Sequence, residues 1–136
     1  MAKASATIDL AVSADEVWQL IGGFNSLPDW IPFIPHSELS EGGRVRRLKT
    51  VDGVVVVERL QMFDHGAKTY SYSFVEAPFP VTGYLATIKV EALGEGARVT
   101  WSGRFEPVGV SDAEAEATFA AVYQGGIDAL RARFQA

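Results

Sequence analysis

Arg46, Arg47, Glu58 and Arg59 are the charged residues most open to a chemical role. The first two lie in RVRRLKT, residues 44 to 50, and the others in VVVERLQMF, residues 55 to 63. A guanidinium presents a planar fork of donors that can orient or polarise a carbonyl or hold an anion, and a carboxylate can carry a proton. Tyr70, Tyr72, Tyr84 and Tyr123 add hydroxyls that could meet a ligand carbonyl, although buried tyrosines commonly spend them on structural partners. The two histidines are His36, after a proline-rich segment, and His65, in a DHGA turn. His65 reads as a solvated turn residue, and His36 could reach a pocket mouth but has no second histidine or carboxylate cluster nearby, so no metal site is expected. The chain has no cysteine, which removes disulfides, thiolate nucleophiles and zinc–thiolate sites together. No serine sits in a nucleophile elbow, and the GEG and GG pairs read as hairpin and helix features, not phosphate loops. No cofactor is implied.

The two charged segments flank VDGV, residues 51 to 54, whose Asp52-Gly53 pair is a strong hairpin signal. With a turn of two residues, Arg47 stands opposite Glu58 and Arg46 opposite Arg59. An inward Arg47 and Glu58 would form a buried pair able to polarise a carbonyl, and an inward Arg46 and Arg59 would want an anion. Facing outward, either pair would be solvated and contribute little. Alternation leaves the face open, and a bulge is expected in RLQMFD because Leu60, Met62 and Phe63 cannot all lie inside on a period of two.

The remaining elements frame that hairpin. ATIDLAV alternates as a strand, SADE forms a capping box of Ser13 and Glu16, and ADEVWQLI is a short helix ending at Gly22-Gly23. Residues 24 to 39, FNSLPDWIPFIPHSEL, crowd Trp30, Phe33 and Ile34 among three prolines that forbid a long helix. So much apolar side chain on an irregular segment is either a plug sealed on the core or the gate of a pocket. TYSYSFVE puts Tyr70, Tyr72 and Phe74 on one face of a strand. After APFPVTG, YLATIKVEAL and ARVTWSGRFEPV form a hairpin around GEG, with Ile88, Val90, Val99, Trp101 and Phe105 on its apolar face. A helix from about 113 to 134, capped by Ser111 or Asp112, carries Phe119, Val122, Tyr123, Ile127, Leu130 and Phe134 at three-to-four spacing. Gly125-Gly126 inside it costs about 1 kcal/mol per glycine against alanine. Close approach to the sheet, room for a ligand or a packing notch would each account for it.

The chain of 136 residues, 48% apolar and 21% charged, fits one domain, 1–136, large enough for a single core. A net charge of −5, with no basic run beyond residues 44 to 49, disfavours nucleic acid. MAKASATIDL lacks the apolar core of a signal peptide, and no apolar run approaches the ~18 residues of a span. The expectation is a cytoplasmic protein without membrane insertion, monomer or homodimer. The fold class expected is α+β: a curved seven-stranded antiparallel sheet wrapped around a long C-terminal helix, with two short helices after strand 1. Such a wrap encloses volume that the inward aromatics need not fill.

This order of elements, with LPDWIPFI, RVRRLKTVDG, VVERLQMFD, YSYSFVEAPFPV and VTWSGRFEP, resembles the polyketide cyclase/dehydrase-type branch of the START-like, helix-grip SRPBCC superfamily, which shares the birch-pollen-allergen fold. The likeness covers nearly the whole chain. It implies an apolar cavity between sheet and C-terminal helix that binds a small hydrophobic molecule, polyketide-, lipid- or aromatic-like. The residues set against such a ligand are Trp30, Phe33, Ile34, Leu60, Tyr70, Tyr72, Phe74, Phe79, Tyr84, Trp101, Phe119 and Tyr123. The alternative is a cyclase or dehydratase, in which Glu58, Arg46 and Tyr72 polarise a carbonyl and move protons.

Overall fold

Period-two burial runs through most of the first strand and the last two strands of the chain, and that alternation decides which side of the sheet faces the helix. The computed structural model describes residues 2–135. In chain order it contains β1 (Ala2–Leu10), α1 (Ala14–Ile21), α2 (Leu27–Trp30), β2 (His36–Ser40), a single 3-10 turn at Glu41–Gly43, β3 (Val45–Lys49), β4 (Val55–Asp64), β5 (Thr69–Glu76), β6 (Val81–Leu93), β7 (Gly96–Pro107) and α3 (Asp112–Gln135). The strands form one antiparallel sheet in the order β1-β7-β6-β5-β4-β3-β2. The long helix α3 packs across β1 and β7, closing the sheet's concave face. Seven strands, one long helix and two short helices after strand 1 make the expected helix-grip arrangement.

Local signals explain the boundaries. The Ser13 hydroxyl accepts from the Glu16 amide at 3.2 Å and caps α1, and Ser111 does the same for Glu114 at 3.1 Å at the start of α3. Trp18 is buried with Val17 and Ile21. The proline segment is shorter in its irregularity than expected: a single helical turn, α2, occupies its centre, and a strand begins at His36. Leu27, Trp30, Ile31 and Ile34 are buried there, while Phe33 is half-buried.

The β3–β4 hairpin differs from the two-residue expectation. Thr50 N–H donates to the Val54 carbonyl, Lys49 pairs with Val55, and Gly53 takes a left-handed φ of 82°. Three residues, 51–53, therefore make the loop, a length that needs glycine at its left-handed position. The register moves by one, so Arg46 faces Glu58 and Arg47 faces Val57. Arg47 points outward with Lys49, and the inward set is Arg46, Leu48, Val56 and Glu58. The bulge expected in RLQMFD falls between Leu60 and Met62, and a second irregularity falls between Val57 and Glu58. Both Met62 and Phe63 end exposed, with Phe63 resting on Trp18 and Tyr70.

Glycines set how closely α3 approaches the sheet. A Cβ on Gly126 would lie 2.4 Å from the Trp101 ring, and one on Gly125 would lie 3.2 Å from Phe33. On the facing strand, a Cβ at Gly103 would collide with the Tyr123 hydroxyl. The pair in α3 is thus a notch for two aromatic side chains, and tight packing offsets its helix-propensity cost.

Candidate functional site

Between the inner face of β3–β7 and α3 lies a void of about 140 Å³. Leu27 and Ile34 from the proline segment, Leu48 and Val56 from the hairpin, Tyr72 and Phe74 from β5, and Tyr84 and Trp101 from β6 and β7 build most of it. Phe119 and Val122 close it from α3, and Phe33, Thr50 and Phe79 complete the lining. The aromatic wall is continuous: Phe74 stacks on Tyr84 at 3.8 Å between centroids, and Phe79 meets Phe119 at 5.1 Å. Phe33, Thr50, Phe74, Phe79 and Val122 are half-buried, which places the mouth between the proline segment, the β3–β4 loop and α3. A larger hollow of about 740 Å³ lies open on the other side of the sheet, lined by Lys3, Ser5, Thr87, Thr100, Ser102 and Arg104 among others. It is an open depression of mixed polar and apolar lining.

One charged side chain borders the void. Glu58 is 5% exposed, and its Oε1 accepts from Arg46 Nε at 2.8 Å. Arg46 is wholly buried behind it. Its Nη1 donates to the Phe24 carbonyl at 2.8 Å and to the Tyr70 hydroxyl at 3.2 Å, and the guanidinium carbon lies 4.3 Å from the Phe24 ring centroid and 4.6 Å from that of Tyr72. Arg46 Nη2 is sealed without a partner among the described residues, so the aromatic faces supply the remaining stabilisation of the charge. Burial pushes the Glu58 carboxyl above the ordinary carboxylate range, and the Arg46 charge and hydrogen bond pull it part of the way back. Burial works against the Arg46 charge too, but Tyr70 and Glu58 outweigh it and hold the guanidinium protonated.

The tyrosines divide by partner. Tyr72 accepts from Trp101 Nε1 at 2.9 Å, and Tyr84 is hydrogen-bonded to Tyr123 through their hydroxyls. Burial raises the pKa of all four tyrosines, so each stays a neutral hydroxyl. This environment lets them donate hydrogen bonds without supplying a phenolate base.

Of the residues named from sequence, Phe33, Ile34, Tyr72, Phe74, Phe79, Tyr84, Trp101, Phe119 and Glu58 border the void. Trp30, Leu60, Tyr70, Tyr123 and Arg46 do not. Trp30 packs behind Trp101, Tyr123 lies beneath Tyr84, Tyr70 is held among Trp18, Phe24 and Arg46, and Leu60 is half-buried where the bulge turns β4. Leu27, Leu48, Thr50, Val56 and Val122 were missed. Val122 sits three residues from Phe119, so the helical period that placed Phe119 would have found it, whereas Leu48 and Val56 sit two residues from Arg46 and Glu58, whose face alternation left open. His36 is exposed, and His65, also exposed, accepts from Trp18 Nε1 at 2.9 Å. Among the described residues no group of three or more His, Cys, Asp or Glu could hold a metal ion, and no helix is long and apolar enough to cross a membrane.

A family model described as polyketide cyclase / dehydrase and lipid transport matches residues 1–135. The chain is similar to the protein XoxI from Bacillus cereus, at 50% identity and a TM-score of 0.96 over 99% of this chain and 96% of that one. A START superfamily protein from Mycobacterium smegmatis shares the fold at 16% identity, with a TM-score of 0.79 over 99% of this chain and 98% of its own. Ginseng major latex-like protein 151 from Panax ginseng does so at 19% identity, with a TM-score of 0.79 over 97% and 96%. No curated protein matches the chain.

Proposed function

Because the chain belongs to the polyketide cyclase / dehydrase and lipid transport family, we propose that it binds a small apolar molecule, about the size of a single aromatic ring, between the sheet and α3. The void of about 140 Å³ carries this reading. An enclosed apolar cavity of ~150 Å³ is large enough to take benzene, whereas sites for drug-sized ligands run from roughly 300 Å³ upward. A lipid chain or fused-ring polyketide would have to spread Phe33, Phe79 and Val122 at the mouth. Titration of the native protein with benzene and with anthracene, followed by amide chemical shifts, tests the size limit. Benzene should bind saturably with a dissociation constant on the order of 1 mM or below, at about 1 kcal/mol or less per carbon atom. Anthracene should not bind. An intact, cooperatively unfolding protein that takes no ring compound would refute the reading.

Glu58 supports a second reading, because an ionisable group on an apolar wall is a common means of proton transfer. In a cyclase or dehydratase Glu58 would move the proton, Tyr72 would donate to a substrate carbonyl, and Arg46 would position Glu58. Glu58→Gln should then lower turnover of the cognate substrate by about 100-fold or more, with a far smaller change in affinity. In a carrier only affinity or stability moves.

A further inference from the structure

Two groups bordering the void have hydrogen-bonding capacity that the protein leaves unused. Glu58 Oε1 is engaged by Arg46, but Oε2 accepts from none of the described residues. Among the described residues the sealed side-chain polar atoms without a partner are Trp30 Nε1 and Arg46 Nη2, and Glu58 Oε2 is not one of them. That oxygen is therefore not sealed by packed protein, and its side chain lines the void. Tyr72 accepts from Trp101 Nε1, and its own O–H proton is given to none of the described residues. The other cavity tyrosine, Tyr84, is already engaged with Tyr123, and Thr50 sits at the mouth.

These observations bear on the occupant's chemistry, on the premise that the cavity binds a ligand. We infer that the occupant is a neutral single-ring phenol or aryl alcohol, whose hydroxyl donates to Glu58 and accepts from Tyr72. A hydroxyl is both donor and acceptor, so it serves both groups at once. An amine would serve Glu58 alone, a ketone or ether Tyr72 alone, and a hydrocarbon neither. A carboxylic acid would bring a second negative charge against Glu58, while Arg46 is wholly buried behind it and does not border the void. A cation gains little, since the Arg46 and Glu58 charges cancel. This discrimination belongs to the ionised Glu58, the form that its ion pair with Arg46 favours.

The test compares phenol, benzene and benzoate, one ring each, on the native protein at pH 7 by chemical-shift titration. Phenol should bind at least about 10-fold tighter than benzene, and benzoate at least about 10-fold weaker than phenol, as expected when a buried polar site is satisfied or left unpaired. Benzene binding as tightly as phenol would overturn the inference while leaving the cavity reading intact. Benzoate matching phenol would overturn the exclusion of acids. If none of the three binds, the cavity reading falls and the inference with it. Tyr72→Phe, which keeps the ring in place, and Glu58→Gln should each bring the phenol-to-benzene ratio toward one. A folded variant that retains the full ratio rules out its group as the hydroxyl's partner. Should Glu58→Gln fail to fold, Tyr72→Phe and the native series still decide the matter.

Discussion

Arg46→Met lowers the free energy of unfolding by about 3 to 5 kcal/mol, measured as a fall in urea midpoint at constant slope. The cause is the charge left behind: Glu58 stays buried and loses its partner at 2.8 Å, and Phe24 and Tyr70 lose theirs. The double change Arg46→Met with Glu58→Met should recover most of the loss, because removing a buried pair entire is often neutral or stabilising. The dependence on pH has a definite sign. The folded-state pKa of Glu58 is already raised by burial, and without Arg46 it rises further. A raised carboxyl favours folding below its unfolded pKa and loses that contribution as pH climbs through the folded value. The deficit of Arg46→Met should therefore shrink from pH 8 toward pH 5. A loss under about 1 kcal/mol, or one that is flat with pH, would mean that the pair is solvated.

Val56→Phe should abolish ring binding, by roughly 100-fold or ~2.8 kcal/mol in affinity, while leaving stability within about 1 kcal/mol of the native chain. Val56 is buried on the inner face of β4 and borders the void, so a larger side chain there can grow into free volume instead of into neighbours. Titration with benzene and urea unfolding of the same variant give the two numbers. Unchanged binding would show that ligand goes elsewhere, and a large loss of stability would show that the space is already packed.

Much of the fold was legible because each element announced itself locally. Ser13 with Glu16 opened α1, Ser111 opened α3, and strict alternation from Ile88 to Val90 and from Val99 to Trp101 fixed the inner face of β6 and β7. The Arg46–Glu58 pair was not legible. Its partners and its face both turned on a single residue in a loop, and a turn of three residues at 51–53 uses the same Asp-Gly signal as a turn of two. Tyr70 and Tyr72 show the other limit. Both were correctly set on one face of β5, yet only Tyr72 reaches the void, because α1 and the bulge at Gln61 bring Trp18, Phe24 and Phe63 over Tyr70. Alternation reports the side of a sheet, and only the assembled layers report what covers each position.

The two glycines of α3 act as a gauge for the gap between helix and sheet. At Gly126 a methyl group would stand 2.4 Å from Trp101, where ordinary contact begins at 3.4 Å, so with the ring held fixed the helix would have to ride about 1 Å higher. Phe119 and Val122 hang from the same helix and form the roof of the void. Raising it would enlarge the space without altering any lining residue. In this architecture the capacity of the binding chamber is a property of interlayer spacing, and a chain with alanine at position 126 could share every wall residue with this one and still accommodate a bulkier guest.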